Sequence, residues 1–211
     1  MTTANIARRA KRRKDDCVCN DIVVEQILLK TRQLFIYEEI NGALAKKVTK
    51  NLLALDTVNN LPILIWINSY GGTITDGWSI IDTMYSLSSS VVTIINGAAC
   101  SMAGVVALAG EKRLISEHST WMGHDVSCGK WDYAANFAAY ATYIGKLKAQ
   151  LMAFIEEKTT LSKEEMSQIK TSELWLNAEE CQAKGIVDGI LTEEGLILEE
   201  DENPEGTTTA V

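Results

Sequence analysis

Two stretches of this sequence end in the same way, and together they restrict the fold more than any other feature. Leu61–Ile67 (LPILIWI) and Val91–Ile95 (VVTII) are short, rich in β-branched residues and free of charge. Runs of that length and type read as central strands of a covered sheet, apolar on both faces. The first runs into a glycine turn, Asn68-Ser69-Tyr70-Gly71-Gly72, and the second into a turn over Asn96–Cys100. Helical spacing follows each turn. Thr75–Ser86 puts Trp78, Ile81, Met84 and Tyr85 on one side, and Ser101–Ala109 reads as a helix of small residues. Strand, turn and helix repeated in this order predict βαβ units and a mainly parallel sheet.

The flanks extend this pattern. Residues 21–37 hold the apolar runs IVV, ILL and LFIY and end at Glu38-Glu39, and Asn41–Leu55 has helical spacing at Leu44, Val48, Leu52 and Leu55. Arg113–Ile115 and Ser119–Met122 read as short strands. Tyr133, Phe137, Tyr140, Ile144, Leu147, Leu151 and Phe154 then step by alternating fours and threes, a heptad seam. It predicts a helix of roughly 40 Å at 1.5 Å per residue, too long for a small α/β body. Its stripe belongs either to the chain's own core or to an arm that pairs with another subunit. Ser162-x-x-Glu165 and Asn177-x-x-Glu180 are capping boxes that open two final helices, and Gly185 and Gly189 bracket the start of a last strand.

Several classes are excluded. Val91–Gly110 is free of charge over a membrane-spanning length, but its asparagine and glycines divide it into a buried strand and a buried helix. The net charge of -8 disfavours phosphate backbones as partners. Five cysteines, at 17, 19, 100, 128 and 181, form no CxxC pair, which argues for a reducing compartment rather than a disulfide framework. With two histidines in 211 residues, Cys17 and Cys19 lack partners for a metal site. Residues 1–14 are basic (RRAKRRK at 8–14) and 193–205 are acidic without a base. Both read as solvated tails around one domain, 1–20 and 194–211 against 21–193, with an import signal or RNA-binding arm as the sharper reading of the basic cluster. No apolar segment follows that cluster, so it is not a secretory signal.

The chemistry gathers at the two turns. Ser101 stands where a strand hands over to a helix, so its hydroxyl meets the positive end of the helix dipole and the next amide is free. Small neighbours leave room for a substrate carbonyl, the logic of a nucleophile elbow without its GxSxG pattern. A simple N-cap is the plainer role for such a serine. A base must be His118 or His124, which in an extended segment share a face. The residues alone do not choose between them, nor do they select an acid.

Motifs in order make the choice. WINSYGG at 66–72, Asp82-Thr83-Met84, Ala98-Ala99-Cys100-Ser101-Met102, Met122-Gly123-His124 and LWLNAEECQAKGIVDGIL at 174–191 resemble, in sequence and separation, the proteolytic subunits of the Clp protease. The resemblance covers about residues 27–191. It implies a ClpP/crotonase-like spiral of ββα units with a projecting handle helix at the heptad seam. It implies Ser101 as nucleophile, His124 as base, Glu173 in place of the family's aspartate, and an oxyanion hole at the N–H groups of Gly72 and Met102. His118 becomes structural. No cofactor or metal is implied, and the chain has no GxxxxGK[ST] loop.

The implied activity is serine-type endopeptidase action on unfolded polypeptides. It takes place in the cytoplasm, inside rings of seven subunits that stack in pairs, served by a Clp-type ATPase unfoldase, with no nucleic acid or membrane partner. The departures point to a divergent member, such as a phage-encoded or organelle version. Tyr70 replaces the usual proline, Asp125-Val126 replace Gln-Pro after the histidine, Cys100 adjoins the nucleophile, and Thr171-Ser172 replace an Asp-Arg pair that links ring to ring. The rivals are an inactive ring subunit of the same fold, a phage capsid-maturation protease of the same fold, and an acyl-CoA hydratase or isomerase that shares the spiral without needing Ser101 and His124.

Overall fold

The computed structural model describes residues 21–129, 131–192 and 195–198. The basic cluster, Cys17, Cys19 and the acidic residues 193–194 and 199–205 lie outside them.

The chain opens with helix α1 (Asp21–Lys30) and strand β1 (Gln33–Ile36). Helix α2 (Gly42–Val58) begins where Asn41 accepts the N–H groups of Ala43 and Leu44, and it buries Leu44, Ala45, Val48 and Leu52 along one face. Burying Leu44 and Leu52 contributes about 2 kcal/mol each. Strand β2 (Ile63–Ser69) lies parallel to β1, with Gln33 opposite Leu64. Helix α3 (Ile74–Ser86) leads to strand β3 (Val91–Cys100), and helix α4 (Met102–Ala107) follows after a single residue, Ser101. Strands β4 (Lys112–Ser116) and β5 (Thr120–Gly123) come next. A 3₁₀ turn at Ala134–Asn136 opens the long helix α5 (Phe137–Lys158). Helix α6 (Lys163–Ile169), strand β6 (Leu174–Leu176), helix α7 (Ala178–Ala183) and strands β7 (Gly189–Thr192) and β8 (Gly195–Leu198) complete the described chain.

The α/β architecture and the mainly parallel sheet follow the expectation: β1-β2-β3-β4-β7-β8 form the main order, parallel up to β7 and antiparallel at β8. On the side away from β2, strand β3 has two partners. Its first half lies beside β4, its second half beside β5, and β5 carries the antiparallel β6. The bend falls at Asn96-Gly97. Gly97 has φ +113, and a Cβ there would come within 2.5 Å of Asn68 Oδ1, which accepts the N–H of Ala98. This corrects the expected turn over Asn96–Cys100. The backbone groups of Ala98–Cys100 are captured by β5, so the strand runs on to the serine.

Other differences have equally local causes. The central strand ends at Ser69 rather than Ile67, and only one of its faces is sealed: Ile63, Ile65 and Ile67 are fully buried while Leu64 and Trp66 are half-buried. Tyr85 leaves the buried side of α3 and lies exposed beneath the Lys158 ammonium. Tyr133 precedes the long helix, which spans 22 residues, about 33 Å. Its heptad stripe divides: Leu151 is buried in the chain's own core, beside Met152 and Ile155 from outside the stripe, Tyr140, Ile144, Leu147 and Phe154 are half-buried, and Phe137 near its start is exposed. Both capping boxes form as expected. Strand β8 lies beyond residue 193, where the sequence suggested the domain would end. Among the described residues, no helix is long and apolar enough to cross a membrane.

Candidate active site

Ser101 occupies the one-residue joint between β3 and α4 with φ 52° and ψ −127°. Among the described non-glycine residues only it and Arg32 have positive φ. Such a conformation costs on the order of 1–3 kcal/mol and persists where the surroundings over-determine it. They do so here. The N–H of Ser101 donates to Met122 O on β5 at 2.8 Å, and its carbonyl accepts from Val105 N inside α4. Fully buried Trp121 donates Nε1 to Gly104 O, and a Cβ on Gly104 would lie 2.7 Å from that same nitrogen. The helix is therefore seated directly on the tryptophan.

The glycine turn closes the other side of the joint. Ser69 Oγ donates to Glu38 O and accepts the N–H of Gly71, while Ile40 exchanges bonds with Gly71 O and Thr73 N. Gly71 has φ +101, and a Cβ on it would fall 2.8 Å from both Ser101 Cβ and Cys100 O and 3.0 Å from Met102 N. No side chain fits between the turn and the serine.

A cavity of about 240 Å³ opens at this joint. Gly72, Ser101 and Met102 line one side, Gly123, His124 and Asp125 another, and Leu151, Met152 and Ile155 of α5 form an apolar wall. Strand register explains why His124 is there. Cys100 pairs with Met122 in parallel, so the residues that follow these two strands emerge side by side, on strands about 4.8 Å apart. His118 is placed differently. It sits exposed in the turn closed by Ser119 N to Ser116 O, before β5 begins, so the two histidines do not share an extended face.

Strand β6 brings in the acid position. Leu174 faces Gly123 in antiparallel register, which makes Glu173 the register position opposite His124. The Glu173 side chain is exposed; its Oε2 accepts from Trp175 Nε1 at 2.8 Å, and its carbonyl accepts from Gln168. The carboxylate is also felt inside: burial first, and then the Glu173 charge, push the Cys100 thiol up. A thiol held in its protonated form is a poor nucleophile, so Cys100 is a small core residue rather than a second reactive group. Burial likewise pushes Cys181 up to about 12. Cys100, Cys128 and Cys181 are all free, and among the described residues no cluster of three potential ligands could hold a metal.

One participant was invisible in the sequence. Lys148 of α5 bonds the Asp125 carboxylate at 2.5 Å. Burial pushes that carboxyl up, but the Lys148 hydrogen bond, the Val126 N–H and the charges of Lys148 and His124 outweigh it and hold Asp125 below the usual range. The two residues are 23 positions apart and no periodicity links them, so only the tertiary fold reveals the pair.

Comparisons with known proteins identify the family. The Clp protease family model matches residues 14–194. The chain is similar to an ATP-dependent Clp protease proteolytic subunit 1 of Shouchella clausii, 34% identical over 78% of this chain and 86% of the relative. A proteolytic subunit of Bacteroides fragilis is 34% identical over 78% and 81% of the two chains. A proteolytic subunit 1 of Chlamydia trachomatis is 30% identical over 80% and 91%. A match over most of the length, on a sheet that brings a strained serine and a histidine to one cavity, places this chain in the Clp protease family.

Proposed function

We propose that the chain is a serine endopeptidase subunit with Ser101 as nucleophile, His124 as general base and Glu173 as the acid that orients the imidazole. The observation that carries the reading is the over-determined backbone of Ser101 beside a cavity that it shares with His124. In the reaction, Ser101 Oγ attacks the scissile carbonyl and passes its proton to His124. The oxyanion is held by the N–H groups of Gly72 and Met102, the latter a first-turn amide without an intrahelical acceptor. His124 returns the proton to the leaving amine, and a water repeats the sequence on the acyl-enzyme. The Leu151–Met152–Ile155 wall offers an apolar side chain of the substrate a dry surface.

One Glu173 oxygen is held by Trp175, and the other is the one this reading assigns to the imidazole. That bond also supports the second reading. A carboxylate fully engaged by the indole would leave the imidazole unoriented, and the chain would then be an inactive ring subunit. We extend the reading to the assembly and partner that the sequence resemblance implies: rings of seven, stacked in pairs, fed unfolded polypeptide by a Clp-type ATPase in the cytoplasm; the relatives' names themselves say only that they are proteolytic subunits of an ATP-dependent Clp protease. The exposed first half of α5 is the surface for the ring-to-ring contact. Hydrolysis of a fluorogenic peptide by the purified chain, lost in Ser101→Ala with the mass of the assembly unchanged, supports the enzyme. An assembled but inert wild type favours the scaffold.

A further inference from the structure

We propose that the Asp125–Lys148 ion pair is a positioning latch: the Lys148 ammonium ties the segment carrying His124 to the wall of the cavity and keeps the Asp125 carboxylate off the imidazole. The proposal rests on the reading of Ser101 and His124 as the catalytic pair. His124 is the first residue beyond β5, so no ladder bond fixes it from its C-terminal side. Among the described residues, the hydrogen bonds of segment 124–129 centre on Asp125. Its Oδ1 accepts Val126 N at 2.7 Å and its Oδ2 accepts Lys148 Nζ.

Lys148 stands one helical turn before Leu151 and Met152, which line the cavity beside His124. The bond therefore joins the base's own segment to the helix that supplies the apolar wall. Both side chains are partly withdrawn from solvent, at 39% and 33% exposure, so the pair is less screened than a free surface bridge.

Charge gives the latch its second effect. The charged groups placed around His124 are Asp125 on its own segment, Lys148 from α5 and Glu173 at the head of β6. Without Lys148, the Asp125 carboxylate is an unpaired anion next to the base and a rival to Glu173 for the imidazole N–H. With Lys148 in place, one carboxylate is engaged and the other is left to orient the ring.

The test is peptidase kinetics on the assembled chain for Lys148→Met, Asp125→Asn, the double variant and Lys148→Arg. Breaking the pair from either side is expected to lower kcat by about tenfold or more with KM within about twofold, because misplacing a base slows the chemistry without removing substrate contacts. The double variant is expected to be no worse than the poorer single variant, and Lys148→Arg to stay within about threefold of the wild type. Either single variant keeping wild-type kcat, or losses that multiply in the double variant, overturns the latch. If the pair-breaking variants do not assemble, Lys148→Arg and Asp125→Glu decide: both keep an ion pair, and a tenfold loss in either overturns it. An active wild type indifferent to all four changes overturns the latch alone. A wild type that cleaves no peptide overturns the catalytic reading as well.

Discussion

The proposed nucleophile and its proposed acid stand on very different backbones. Ser101 is fixed from every side: the strand bonds of β5, the buried Trp121 and the side-chain-free face of Gly71 leave it one conformation. Glu173 sits exposed at the end of a three-residue strand, and its carboxylate is steered by one bond to a neighbouring indole. The proposed nucleophile is held by packing and by backbone bonds. The proposed acid is steered by one hydrogen bond, an arrangement that tolerates exchange of aspartate and glutamate better than packing does.

Substitutions at the two ends can break that contrast. Ser101→Ala is expected to lower kcat by on the order of 10⁴-fold or more while leaving the fold intact, measured by peptide hydrolysis and thermal unfolding. Glu173→Gln is expected to cost about 10³-fold, since a neutral amide stabilises the imidazolium poorly, with Tm unchanged. Gly71→Ala must move backbone that touches the nucleophile, and is expected to cost about 10²-fold in kcat. It is also expected to lower Tm, unlike the change at 173. Trp175→Phe removes only the steering bond and is expected to cost less than about tenfold. If Gly71→Ala is silent, the serine is not held by packing. If Trp175→Phe matches Glu173→Gln, the acid has no orientation of its own.

Acid stability separates other regions. The Asp56 carboxyl is lowered by its bonds to Ser89 and Ser88, Glu165 by its Lys184 and Ser162 bonds, and Asp125 chiefly by Lys148. Near the ordinary carboxylate range, about pH 4, these three groups thus bind fewer protons in the folded chain than in the unfolded one. Their stabilisation is complete above that range and is lost as pH falls through the lowered folded values. Tm against pH is expected to drop below about pH 4 and to drop less steeply in Asp56→Asn.

Much of this was legible in the sequence because it is local. The strand–turn–helix rhythm, both capping boxes and the serine at a strand-to-helix joint follow from propensity and spacing, and so did the helical order around them. What was not legible depends on partners distant in sequence. Asn96-Gly97 has turn chemistry, and only the β5 ladder makes the following residues a strand. Tyr85 has the spacing of a buried residue but finds Lys158 instead. The choice between His118 and His124 needed family motifs, since residue chemistry favoured neither; the register of β5 now separates them. Lys148 carried no signal at all.

The central claim is that the Ser101 hydroxyl is primed by His124. A fluorophosphonate probe reads this most directly, with the adduct mapped by peptide mass. The account predicts one adduct, on the peptide containing Ser101, absent in Ser101→Ala and strongly slowed in His124→Ala. An unlabelled wild type, or labelling at Ser101 that proceeds at the same rate without the imidazole, would contradict it.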